Sequence, residues 1–123
     1  MTRIDPIGAE ALRDKKCEPC EGGVEPLDHQ TVNDLMPSLH ADWVPSEDGA
    51  SISRLIGFPG YSRTLAFVNA VGWIANTEGH HPVINFGYGQ CLVTWTTNAI
   101  NGLSVNDFIC AAKTDHLLVA VDV

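Results

Sequence analysis

The residues best suited to chemistry are Gly79-His80-His81-Pro82, which lie between a long helical pattern and the strand pattern that follows it. An unperturbed imidazole titrates near pH ~6.5, so His80 and His81 can give or take a proton close to neutrality. Adjacent residues of an extended segment point in different directions. The pair therefore does not grip one metal ion as an i, i+4 helical pair would, and no metal site is expected. A structural role stands beside the catalytic one, because a histidine near a helix C-terminus complements the dipole and helps close the turn. The next hairpin decides what faces the pair. With its turn centred near Gly89, antiparallel partners have numbers summing to about 178, which sets His80 opposite Asn98 and His81 opposite Thr97. Asn98 offers donor and acceptor atoms but exchanges no proton usefully.

Several elements must hold this segment in place. Thr64, Phe67, Val68, Val71, Ile74 and Ala75 share one face of a helix predicted over 61–78, with Gly79 just past its end. The other side carries Ala66, Ala70 and Trp73, wider than the stripe of a simple surface helix, and Trp73 is expected at a subunit contact. Strands are predicted over 83–86 and 91–95, joined across Gly87, Tyr88 and Gly89. Upstream, Val32, Leu35, Met36 and Leu39 mark a short helix over 28–39 that Pro37 disturbs near its end. Trp43 and Val44, then Ile52, Leu55 and Ile56, read as two strands about a turn at Glu47-Asp48-Gly49. Ser104 and Asp107 form a capping pair for a last helix to about Leu118, with Val105, Phe108, Ile109, Ala112 and His116 on one face. Residues 1–26 are charged and punctuated by Gly and Pro, and are expected as an irregular arm, with 27–118 the folded domain and 119–123 a tail. Helix, two strands, helix, two strands, helix leaves no room for parallel crossovers and gives an α+β two-layer sandwich.

Composition narrows the function classes. The 123 residues carry fifteen Asp and Glu against seven Lys and Arg, a formal net charge of −8 that repels phosphate backbones and anionic lipid, so no nucleic-acid partner is expected. The longest apolar stretch, 65–75, is broken by Asn69 and is shorter than the ~20 residues of a spanning helix, so no membrane partner is expected either. The first ten residues lack an apolar middle, and a cytoplasmic location follows as an expectation. Cys17 and Cys20 form one C-x-x-C, half of a closed zinc site, while Cys91 and Cys110 fit small buried apolar positions. His29, His40 and His116 lack neighbouring ligand pairs and are expected at the surface, and Trp43 and Trp95 as core anchors.

Lys16-Cys17-Glu18-Pro19-Cys20-Glu21-Gly22-Gly23, Phe67-Val68-Asn69, Glu78-Gly79-His80-His81-Pro82, Tyr88, Thr96-Thr97, Gly102-Leu103 and Asn106-Asp107-Phe108-Ile109 with Ala111-Ala112-Lys113-Thr114-Asp115 together resemble the pterin-4a-carbinolamine dehydratases over about residues 15–118. The resemblance implies four antiparallel strands with three helices on one face, assembled as dimers or tetramers. It also implies dehydration of a 4a-hydroxytetrahydropterin without metal or bound cofactor. His80 and His81 match the paired histidines and Pro82 the proline after them, with Thr97 and Asn98 completing the expected pterin-binding set. The third histidine of the resemblance falls on Asn98, and the acidic residue one turn before the pair falls on Asn76. Glu78 is not expected to stand in for it, since two helical steps turn a side chain by about 200°.

Two amides where ionisable groups are implied suggest an eroded, vestigial site and a role through protein contacts. A subgroup of similar fold is associated with alpha-carboxysomes as a RuBisCO assembly factor, so a RuBisCO subunit client, carboxysome association and a homo-oligomer are the first expectation. The alternative is an active dehydratase that recycles pterin cofactor with His80 and His81.

Overall fold

The computed structural model describes residues 9–19 and 24–119. Four helices and four strands make up the architecture of those residues: α1 (Ala9–Asp14), α2 (His29–Leu35), β1 (Val44–Pro45), β2 (Ile52–Gly57), α3 (Tyr61–Glu78), β3 (Val83–Phe86), β4 (Gln90–Trp95) and α4 (Val105–Val119). The strands form one antiparallel sheet in the order β1-β2-β4-β3, so the two hairpins meet through β2 and β4. The α+β sandwich expected from the periodicities is the observed fold.

One face of the sheet is covered. Ile52, Arg54 and Ile56 of β2 and Cys91, Val93 and Trp95 of β4 alternate inward against Phe67, Val71 and Ala75 of α3 and Phe108 and Ile109 of α4. Burying each large side chain contributes roughly 1.5–3 kcal/mol. Leu55 faces out, and on the same open side Ser53 and Thr94 share a hydroxyl hydrogen bond of 2.8 Å. Trp43 and Trp95 are core anchors, each with its ring N–H placed: Trp43 donates to Asp115 at 2.8 Å and Trp95 to Thr114 at 3.3 Å. Asp115 also receives Arg54 at 2.7 Å, tying β2 to α4 through an ion pair withdrawn from water. Cys91 and Cys110 are buried, while His29, His40 and His116 are exposed.

Helix α3 has the bounds its sequence predicts. Thr64, Phe67, Val71 and Ala75 are buried, with Val68 and Ile74 half-buried at the rim of the core. Trp73 on the other side is 69% exposed. Helix α2 is shorter than its pattern: Asp28 caps it by accepting the Thr31 N–H at 2.9 Å, and Pro37 turns its end into a 3-10 turn at Met36–Ser38.

Two expectations need correction. The arm expected from residues 1–26 is in part helical: α1 packs on α4, with Leu12 fully buried and the Arg13 carbonyl accepting Lys113 Nζ at 2.6 Å. Its six residues are too few for apolar periodicity to reveal a helix. Residues 1–8, 20–23 (hence Cys20 of the C-x-x-C) and 120–123 of the tail lie outside the described residues. The second correction is register. Partners in β3 and β4 sum to 177, because the turn closes between Tyr88 and Gly89 with the Gly87 N–H bonded to the Gln90 carbonyl. The ladder also stops at Val83, so His80 and His81 have no strand partner. Thr97 instead bridges to Gly102, and Asn98 opens a 3-10 turn.

Candidate active site

Three chain reversals aim the polar groups at one end of the sheet. At the end of α3, Gly79 takes φ 67°, where a side chain would be strained, and its N–H bonds the Ala75 carbonyl at 2.9 Å. The His80 N–H reaches the same carbonyl at 3.2 Å, which sets the imidazole just beyond the helix end. After β4, Asn101 at φ 54° closes the loop that returns through the Thr97–Gly102 bridge. The loop then enters α4, where the Asp107 carboxylate accepts the Ser104 N–H at 3.0 Å, the reciprocal half of a capping pair.

Asp107 does more than cap. Its side chain is fully buried, and Oδ1 lies 2.6 Å from His80 Nε2. Oδ2 accepts the Thr97 hydroxyl at 2.7 Å in addition to the Ser104 N–H. The Thr97 hydroxyl also meets Ser104 Oγ at 2.8 Å. With both carboxylate oxygens acting as acceptors, His80 Nε2 carries the proton of that contact and Nδ1 is left to act on a ligand. The ring is held flat against Trp95, with centroids 5.7 Å apart and planes within 5°. An imidazole fixed by a buried carboxylate and a stacked indole is oriented for proton transfer.

This group backs a cleft of about 330 Å³ lined by His80, His81, Thr96, Thr97, Asn98 and Ala99 on one side and by Cys17, Glu18, Pro19, Glu78 and Asn106 on the other. The volume lies at the lower end of small-molecule sites. His81 is exposed and makes no hydrogen bond to a described residue. Asn98 is exposed at the rim. Of the pterin-binding residues implied by the resemblance, His80, His81, Thr97 and Asn98 line the cleft, whereas Pro82 leads into β3 and does not.

Asn76 is exposed and is not part of the lining, while Glu78 is. The rotation of about 200° that argues against Glu78 carries it toward α4 and the arm, the side on which the cleft lies. Its side chain is 7% exposed, with the Cys17 N–H on Oε1 at 2.9 Å and Lys16 and Lys113 at 3.8 and 3.7 Å from Oε2. Burial alone pushes this carboxyl up, but the Cys17 N–H and the two ammonium groups outweigh it and hold it below the ordinary glutamate value.

Sequence reasoning treats Asp107 as a capping residue and misses it as the partner of His80. The available signal is its neighbourhood: a carboxylate followed by Phe-Ile-Cys-Ala-Ala lies in an apolar run and needs a partner once buried. The arm wall and Asn106 carry no such signal. Among the described residues no group of three or more His, Cys, Asp or Glu could hold a metal ion, and no helix is long and apolar enough to cross a membrane.

Comparison with known proteins agrees with this fold and gives its family. The family described as Pterin 4 alpha carbinolamine dehydratase matches residues 25–117. A relative from Nitrosomonas eutropha named for that enzyme is 50% identical over 109 residues, covering 89% of this chain and 95% of its own. One from Legionella pneumophila with the same name is 48% identical over 108 residues, 88% and 96% of the two chains. Among solved structures, a transcriptional coactivator/pterin dehydratase from Brucella melitensis superposes with a TM-score of 0.71 at 24% identity, over 76% of this chain and 98% of that one. A pterin dehydratase-like protein identified as a RuBisCO assembly factor in the alpha-carboxysome gives 0.57 at 24% identity, over 67% and 95%. These two likenesses concern the fold alone.

Proposed function

The chain belongs to the pterin-4a-carbinolamine dehydratase family, and from that premise we propose that it dehydrates a 4a-hydroxytetrahydropterin to the quinonoid dihydropterin. The reaction breaks the C4a–O bond, removes a proton from a ring nitrogen and releases the hydroxyl as water. His80 Nδ1 takes the ring proton, its ring held in place by the carboxylate on the opposite nitrogen. His81, on the same rim and unengaged, protonates the departing hydroxyl. Asn98 holds a substrate oxygen or nitrogen by hydrogen bonds where a third imidazole is implied by the resemblance. Thr97 and Asp107 are positioning residues, since they act through His80.

The observation that carries this reading is the buried 2.6 Å Asp107–His80 contact at the back of the cleft. A site released from chemistry has no need to keep a carboxylate dry behind an imidazole. Glu78 also lines the cleft, but its carboxylate is engaged by Cys17, Lys16 and Lys113, so it is given no part in the chemistry. Purified protein mixed with chemically generated 4a-hydroxytetrahydropterin should form the quinonoid product many-fold faster than buffer; product formation at the buffer rate would overturn the assignment. A role as a RuBisCO assembly factor has the support of the shared fold only. Co-purification of RuBisCO subunits with a catalytically silent protein would favour it.

A further inference from the structure

Cys17, Glu18 and Pro19 line the cleft although they lie upstream of residues 25–117, which the family model matches. This wall of the cleft is latched at successive residues. Lys16 Nζ donates to the Thr77 carbonyl at 3.0 Å, and the Cys17 N–H donates to Glu78 at 2.9 Å. Asn106 then takes residue 18 from both sides: its Oδ1 accepts the Glu18 N–H at 3.0 Å and its Nδ2 donates to the Glu18 carbonyl at 2.7 Å. An amide that satisfies both polar groups of one residue does what a neighbouring strand would do, and it fixes the backbone from which the Glu18 side chain leaves.

Two carboxylates belong to the lining, and they differ in what is left for a ligand. Glu78 is spent on Cys17, Lys16 and Lys113. Glu18 is exposed and its side chain pairs with no described residue. We propose that Glu18 is a specificity-determining residue: its carboxylate takes the two parallel N–H donors, N3–H and the 2-amino group, of a 2-amino-4-oxopteridine bound in the cleft, with Asn106 as the positioning residue that presents it. The inference rests on the pterin reading of the cleft and deepens it. A carboxylate matches such a donor fork in the way it matches a guanidinium. A 2,4-dioxopteridine of the same shape places an acceptor where the amino group stood, and a carboxylate rejects it.

The test compares binding of 7,8-dihydropterin and 7,8-dihydrolumazine to the full chain by calorimetry. The unmodified protein should prefer dihydropterin. Glu18→Gln should lose about ten- to hundredfold in dihydropterin affinity, the range for a charge-assisted pair, and leave dihydrolumazine unchanged or improved. Asn106→Ala, with its fold checked by circular dichroism, should reduce the same preference while Glu18 is intact. A Glu18→Gln protein that keeps the preference, or that loses both ligands equally, overturns the role of Glu18 and leaves the dehydratase reading standing. An unmodified protein that binds neither pteridine overturns both.

Discussion

The two walls of the cleft are built on opposite principles. The His80 wall is fastened from within: a dry carboxylate, a stacked indole and the cap of α4 leave the imidazole one orientation. The Cys17–Pro19 wall is fastened from outside, by polar groups that reach over from α3 and α4 to an exposed segment. The first arrangement suits a group that must move protons, because orientation is secured where water does not compete. The second suits a group that must admit and sort a ligand, because Glu18 stays exposed while its backbone is held. Damage to one wall should therefore appear in turnover, and damage to the other in affinity.

The largest effect falls on the inner wall. His80→Ala should reduce kcat by about 10²–10⁴-fold, the usual contribution of a general acid or base, with KM nearly unchanged in steady-state assays. A change confined to KM would erase the distinction between the walls. Next is Asn98→His, which restores the third imidazole implied by the resemblance and should raise kcat by about tenfold or more. A third test concerns pH and the outer wall. Because Glu78 titrates below its ordinary value, it binds fewer protons folded than unfolded at mildly acidic pH. Its contribution to holding the arm is complete above the unfolded value of 4.5 and fades as pH falls through the lower folded value. The protection factor of the Cys17 amide, its exchange rate corrected for the intrinsic pH dependence, should fall in that acid window, and Glu78→Gln should abolish the dependence. The smallest effect on the cleft should come from Trp73→Glu, which lies on the exposed side of α3. Steady-state assays should give a kcat within about twofold of the unmodified protein, since surface changes away from special features have small local cost.

Much of this molecule is legible in its residues. Helix α3 can be read to the residue because an apolar stripe, a helix-ending glycine and a strand pattern agree. The hairpin register misses by one, since two glycines flank Tyr88 and periodicity cannot say which peptide closes the turn. Site geometry is harder to read. Thr97 and Asn98 look like strand continuation, but the chain bends there into a 3-10 turn that only the tertiary fold dictates. The surroundings of Glu78 are hidden for a related reason: it faces Lys113 of α4 and Cys17, which no periodicity within α3 reveals. The arm is invisible as a wall, since every tie that holds it joins residues about 60 to 90 positions apart.

Asp107 joins two fortunes that most enzymes keep separate. The same carboxylate satisfies a backbone N–H at a helix start and aims a proton carrier, so fraying of the first turn of α4 and misdirection of the imidazole are one event. Warmed gradually, the protein should fall silent while its sheet is still whole.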